Sequence, residues 1–265
     1  MKKKDIPIVL CIAGSDSGGG AGIQADIKTL NTLKVFATTA ITCVTAQNTK
    51  KVVSIKKIPT KIIKDQIDAI GADFNISAIK IGMLYDKSIM KITHEALKKF
   101  IKIPIIVDPV MISKSGDYLL KPNSIKYFIK NILPKSFLIT PNLHEALEIT
   151  GMKKIQSIKQ INECFEIFTC LGANNVLLKG GHLGNDNKSI DYLNFNNKIY
   201  AIPGKRYLTK NTHGTGCTLS AAISGNIALG MNVLNATKEA KRFINKAIKN
   251  SFDIGKGSGP LNHFA

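Results

Sequence analysis

Short apolar runs alternate along this chain with segments whose apolar residues recur every three or four positions. Ile8–Ala13, Ala40–Val44, Ala78–Met83, Pro104–Met111, Phe137–Thr140 and Asn175–Lys179 read as strands. Between them, helical spacing covers Ala21–Leu33, with Ile23, Ile27 and Leu30 on one face, then Lys61–Ile70, Asp86–Phe100, Pro122–Leu133, Glu145–Thr150 and Ile158–Leu171. Asp86 stands where a helix N-cap is expected. Tyr192–Ile202 reads as a hairpin turning at Asn196-Asn197, and Thr218–Leu229 and Asn235–Phe252 close the chain as helices. Strands that are apolar on both faces and alternate with helices predict an α/β fold with a mostly parallel central sheet and helices on both faces. With no linker and no repeat of solenoid period, residues 1–265 read as one domain. In such folds ligands bind outside the carboxyl ends of the strands, which is where the unusual residues of this chain fall.

Composition narrows the picture. The 265 residues are 44% hydrophobic and 21% charged, enough for one substantial core. No apolar run reaches the roughly 18 residues of a membrane span. A basic start followed by Ile6–Ala13 superficially resembles a secretion signal, but the run ends in a glycine loop with no small-residue cleavage site. Five cysteines without a C-x-x-C pair predict neither a disulfide framework nor a zinc site, so a cytoplasmic protein is expected. The net charge of +19 comes from 35 Lys and only two Arg, scattered along a chain also rich in Ile and Asn. That bias follows AT-rich codons; nucleic-acid readers favour Arg forks and stacked aromatics, so no nucleic-acid partner is expected.

Two glycine-rich loops compete as phosphate cradles. Gly14-Ser15-Asp16-Ser17-Gly18-Gly19-Gly20-Ala21-Gly22 follows a strand and opens a helix, yet fits neither the Walker A nor the Rossmann template. It reads either as a tight turn or as a close approach of backbone to ligand. Thr212-His213-Gly214-Thr215-Gly216-Cys217-Thr218 leads into a second helix, whose unpaired N–H groups and positive dipole end make an anion hole. Cys217 at the helix start is expected to have a lowered thiol pKa and to serve as base or nucleophile. Asp108 interrupts an apolar strand, which is costly unless it faces a site. Lys179 ends a strand at the ligand edge. Glu145, in a first helical turn, fits dipole complementation. Asp26 reads equally as a solvated helix residue or a site residue. His213 reads as a structural hydrogen bonder, and His94, His144, His182 and His263 lack metal-ligand spacing.

His213-Gly214-Thr215-Gly216 resembles the anion-hole motif of the ribokinase superfamily. With Cys217 next, and with Ala13–Asp26, it resembles hydroxymethylpyrimidine/phosphomethylpyrimidine kinases of thiamine biosynthesis. In order along the chain, Val44–Thr49, Lys80–Leu84, Val107–Met111, Lys114-Ser115-Gly116, Thr140–Ala146, Leu178–His182 and Gly257-x-Gly259-Pro260 match the same family. The resemblance implies a ribokinase-like three-layer sandwich, an ATP and Mg²⁺ requirement, 4-amino-5-hydroxymethyl-2-methylpyrimidine as substrate, and two successive phosphorylations to the diphosphate. It implies Cys217 as base, with Gly214, Thr215 and Gly216 as anion-hole donors. Gln47, Gly14, Ala21, Asp26, Met83 and Val110 would surround the pyrimidine. Lys179, Asn142 and Thr215 would contact the nucleotide, and Asp108 and Glu145 the metal. A homodimer is implied as well. The rival within the class is a pyridoxal kinase, since pyridoxal also carries a hydroxymethyl group on a nitrogen ring. A non-catalytic nucleotide-binding protein would have lost Cys217, Asp108 or Glu145, and all three are present.

Overall fold

The computed structural model describes residues 6–113, 116–180 and 188–264. Nine strands form one sheet in the order β3-β2-β1-β4-β5-β6-β7-β8-β9, where β1 is Ile8–Asp16, β2 Phe36–Gln47, β3 Val52–Lys57, β4 Ile76–Ile81, β5 Ile105–Val107, β6 Leu138–Ile139, β7 Val176–Leu178, β8 Lys188–Phe195 and β9 Lys198–Lys205. From β2 to β7 neighbouring strands are parallel; β3, β8 and β9 are antiparallel additions at the two edges.

Alternation along β1 builds both cores. Leu10 and Ile12 enter one apolar layer with Ile63 and Ile67 of α2 (Thr60–Asp73), Ile89 and Met90 of α3 (Lys87–Leu97), and Phe165 and Phe168 of a further helix, Ile158–Cys170. Val9, Cys11 and Ala13 enter the other with Ile23 and Leu30 of α1 (Gly22–Thr32), and with residues of two C-terminal helices, Thr215–Ala228 and Val233–Lys249. In chain order the helices after α3 are α4 (Ile125–Tyr127), α5 (Leu143–Thr150), α6 (Ile158–Cys170), α7 (Thr215–Ala228) and α8 (Val233–Lys249). A strand buried on both faces has no polar side to show, which is why these segments read as unbroken apolar runs. No helix among the described residues is long and apolar enough to cross a membrane.

Most expected elements are present, with informative differences. Asp86 caps α3, accepting from Ser88 N–H at 3.0 Å and Ile89 N–H at 3.2 Å. Asn196 and Asn197 both have positive φ, 52° and 56°, the turn that matches the twist of a two-residue hairpin. The strand expected over 104–111 stops at Val107: the Asp108 N–H makes a last bond to the Ile81 carbonyl at 2.8 Å, and Pro109 has no N–H to continue. The helix expected over 122–133 is broken into 3-10 turns at Pro122–Ser124 and Leu133–Lys135 around α4 and a π turn at Phe128–Ile132. Prolines 122 and 134 sit in the two 3-10 turns. β3 was not expected: it is a sheet edge whose side chains are mostly exposed, so it carries no apolar run.

The chain leaves β1 for β2 on one side and later returns to β4 on the other, so the carboxyl end of β1 is the topological switch point. At the far edge a buried ion pair ties α8 to the antiparallel hairpin. Lys241 Nζ lies 2.6 Å from Asp191 Oδ2, while Asp191 Oδ1 accepts from Gly180 N–H at 3.0 Å. Removing one partner strands a buried charge. Asp191→Ala is therefore expected to cost about 3–5 kcal/mol in urea unfolding, and Asp191→Ala with Lys241→Met to recover most of it.

Candidate active site

The two glycine loops are walls of one cavity rather than rivals. Asp16, the last residue of β1, gathers the first loop around its carboxylate: it accepts from Gly18 N–H at 2.7 Å, Gly20 N–H at 3.1 Å and Ala21 N–H at 2.9 Å. The second loop joins through His213, whose Nε2 lies 2.8 Å from Asp16 Oδ2. Burial works to raise the Asp16 pKa, but the His213 contact and the backbone donors outweigh it and hold the carboxyl below its ordinary value. Gly214, the N-cap of α7, has φ +81°, and a Cβ on it would run into the carbonyl of Gly20. With three of its N–H groups held by Asp16, the first loop is built as a turn. The first turn of α7 has no side-chain cap, so Gly216 and Cys217 keep N–H groups with no intrahelical acceptor.

The cavity between these loops measures about 190 Å³. It is lined by thirteen of the fourteen residues expected at the site: Gly14, Ala21, Gln47, Met83, Asp108, Val110, Asn142, Glu145, Lys179, Gly214, Thr215, Gly216 and Cys217. Each comes from the carboxyl end of a parallel strand, or from α1, α5 or α7 just beyond. Asp26 is the exception to the expected set. It is fully buried in α1, does not line the cavity, and pairs with the equally buried Lys80 of β4 at 2.9 Å. Burial rules out the solvated-face reading. Burial raises its carboxyl to about 6 despite the Lys80 charge. Thr215 departs from the expected donor role: both its Oγ1, at 2.7 Å, and its N–H, at 3.3 Å, donate back to the Thr212 carbonyl.

One end of the cavity is strongly polar. Lys179 Nζ donates to Asp108 Oδ1 at 2.8 Å and lies 3.8 Å from Glu145 Oε2. Asn142 and Glu145 form a capping box at the start of α5, with Asn142 Oδ1 accepting from Glu145 N–H at 2.9 Å and Glu145 Oε2 accepting from Asn142 N–H at 2.8 Å. The dipole-complementing role expected of Glu145 is therefore present, and its carboxylate faces the cavity as well. Burial lifts its pKa to about 7; Lys179 pulls it down and Asp108 pushes it up. Two carboxylates are oxygen donors that suit a hard cation keeping several waters.

At the other end Gln47 Nε2 lies 3.3 Å from His213 Nε2, beside Met83 and Gly14. His213 is the hydrogen bonder expected from its position. Cys217 departs from expectation. Burial pushes its thiol up to about 11, against the lowering effect of the Lys80 charge. Desolvation outweighs the helix N-terminus here. Sequence reasoning missed Asp16 and Lys80. The available signals were a lone carboxylate inside a glycine loop and a lysine inside an apolar strand. Ser115 and His182, within two of the family-like segments, lie outside the described residues.

Comparison with known proteins agrees with this geometry. A family profile described as phosphomethylpyrimidine kinase matches residues 16–262. A Bacillus subtilis hydroxymethylpyrimidine/phosphomethylpyrimidine kinase is 42% identical over 256 residues, covering 97% of this chain and 94% of its own. The crystal structure of a phosphomethylpyrimidine kinase from Clostridium difficile is 42% identical, with a TM-score of 0.80 over 92% of this chain and all of its own. An ADP complex of Bacillus subtilis pyridoxal kinase superposes with a TM-score of 0.90 at 33% identity, over 98% of each chain. Matched from its first glycine loop to its last helix and beyond, this chain belongs to the phosphomethylpyrimidine kinase family.

Proposed function

We propose that this chain, acting as one domain, uses ATP to phosphorylate 4-amino-5-hydroxymethyl-2-methylpyrimidine and then phosphorylates the monophosphate again to the diphosphate. The observation that carries the reading is the convergence on one cavity of the uncapped first turn of α7, the Cys217 thiol, the Lys179–Asp108–Glu145 cluster and Gln47. Phosphoryl transfer needs alignment and charge stabilisation more than covalent catalysis, and these groups supply both.

Gln47 offers an acceptor and donors to the aminopyrimidine edge, with Met83, Val110, Gly14 and Ala21 against the ring. Cys217, as thiolate, takes the hydroxymethyl proton while the alcohol oxygen bonds to the γ-phosphorus and the bond to the bridging oxygen of ADP breaks. Backbone N–H groups of Gly216 and Cys217 meet the charge that develops on the transferring phosphoryl oxygens. Lys179 pairs with the nucleotide phosphates, near Asn142. Asp108 and Glu145 would hold Mg²⁺, which supplies charge neutralisation to the phosphates when bound. Two copies of the chain and a reducing cytoplasmic setting complete the proposal, the latter resting on five thiols that carry no disulfide.

Pyridoxal phosphorylation is the second reading, favoured by the close superposition on pyridoxal kinase. The higher identity to pyrimidine kinases supports the first. The deciding assay compares kcat/KM for the hydroxymethylpyrimidine, its monophosphate and pyridoxal with ATP and Mg²⁺. Turnover of the first two well above pyridoxal is expected, and a pyridoxal-dominated profile overturns the pyrimidine reading.

Cys217→Ala is expected to lower kcat by about 10²–10⁴ with little change in KM; an unchanged kcat removes the base assignment. Glu145→Gln separates stability from function, since Gln keeps the capping box. The Glu145 carboxyl is raised from its ordinary 4.5 to about 7 in the folded chain, so the folded state holds the proton more tightly than the unfolded state. Ionisation of Glu145 therefore costs stability increasingly between those pH values, and by a constant amount above them. Glu145→Gln should raise the Tm of nucleotide-free protein at pH 8, lose that advantage near pH 4, and weaken Mg²⁺-dependent ATP binding.

A further inference from the structure

Lys80 is an ion in the middle of a sheet. It is fully buried, and on β4 it stands level with Cys11 of β1 and Ile106 of β5. Its strand neighbours Ile79 and Ile81 face the α2–α3 layer, so Lys80 faces the layer of α1 and α7. The side chain runs toward the carboxyl edge: a Cβ on Gly82 would lie 2.9 Å from its Nζ and 3.1 Å from Ala13, which lines the cavity. Lys80 Nζ thus lies just beneath the cavity, without lining it.

Its partner reaches it from α1. Asp26 Oδ2 accepts from Lys80 Nζ at 2.9 Å, while Asp26 Oδ1 is buried with no hydrogen-bond partner. Gly22, one turn earlier on the same face of α1, lines the cavity together with Cys217. The same helix face therefore borders the cavity beside Cys217 with one residue and holds the buried lysine with the next. A buried ion pair is a poor way to gain stability, which leaves its local field as the property that distinguishes it from two apolar side chains.

We propose that the Lys80–Asp26 pair is a positioning device that sets the charge state of the Cys217 thiol from beneath the cavity. Lys80 favours the thiolate and Asp26 opposes it, so the pair holds the thiol between two extremes. The other groups facing this centre are Asp108 beyond β5, Lys179 beyond β7 and the Cys11 thiol of β1. Lys80 has the larger influence on Cys217 of the two members of the pair, and Asp108 adds to Asp26 in opposing the thiolate. The kinetic consequence rests on Cys217 being the base, but the charge-setting itself does not.

The test is the pH dependence of iodoacetamide alkylation at Cys217, followed by peptide mapping of the nucleotide-free full chain in a Cys170→Ser background that removes the exposed thiol. Lys80→Met is expected to raise the alkylation midpoint by about one pH unit or more, and Asp26→Asn to lower it. The double variant, which leaves no unpaired charge, should fall between wild type and Lys80→Met, so Asp26→Asn and the double variant decide the matter if Lys80→Met does not fold. Opposite shifts support the proposal, because a purely structural pair would move both single variants the same way. Equal shifts, shifts of the same sign, or none would overturn it. Where the midpoints shift as expected but kcat in Cys217→Ala is unchanged, the base assignment fails while the charge-setting stands.

Discussion

The site depends on one carboxylate. Asp16 collects three N–H groups of its own loop and the His213 ring of a loop nearly two hundred residues away, so two segments that could each be mobile become one wall. Every other placement follows. Gly214 can press against the Gly20 carbonyl only because the loops are locked together, and that contact sets where α7 starts. The start of α7 in turn sets where the Gly216 and Cys217 N–H groups point. A carboxylate that accepts four hydrogen bonds at the end of a buried strand is well compensated, which explains why an acid is tolerated at this depth.

Around this wall the protein concentrates ions that a core would normally exclude. Lys179 lies between Asp108 and Glu145, and Lys80 lies against Asp26, all at the carboxyl edge of the parallel strands. Each lysine is raised by its carboxylate partners against the lowering effect of burial. The carboxylates are less evenly served: Glu145 and Asp26 are both held above the ordinary carboxylate range. A fixed, water-poor arrangement of charges acts more strongly on a transferring phosphoryl group than the same charges in water, and needs little reorganisation during transfer. The apolar layers contribute by keeping that arrangement fixed.

Chemistry within this family is divided by small differences on a shared frame. The chain superposes more closely on a pyridoxal kinase than on a phosphomethylpyrimidine kinase, yet is more identical in sequence to the latter. Backbone similarity follows the sheet and its helices. A few pocket contacts, worth only a few kcal/mol, are enough to separate one hydroxymethyl heteroaromatic from another.

The sequence by itself determined the parallel α/β architecture, because a strand buried on both faces must be apolar throughout and a helix on one face must repeat its apolar positions. Local chemistry was equally legible in the Asp86 cap, the Asn196-Asn197 turn and the first helical turn at Glu145, each of which depends only on residues close in the chain. Edge strand β3 was not, since its side chains face water and nothing in their order requires a sheet. Nor could spacing reveal that Asp16 bonds His213, that Asp26 turns inward to Lys80, or that burial outweighs the helix end at Cys217. These are energies of contact and desolvation between distant segments. They acquire a sign and a size only when tertiary structure brings the charges together and takes the water away.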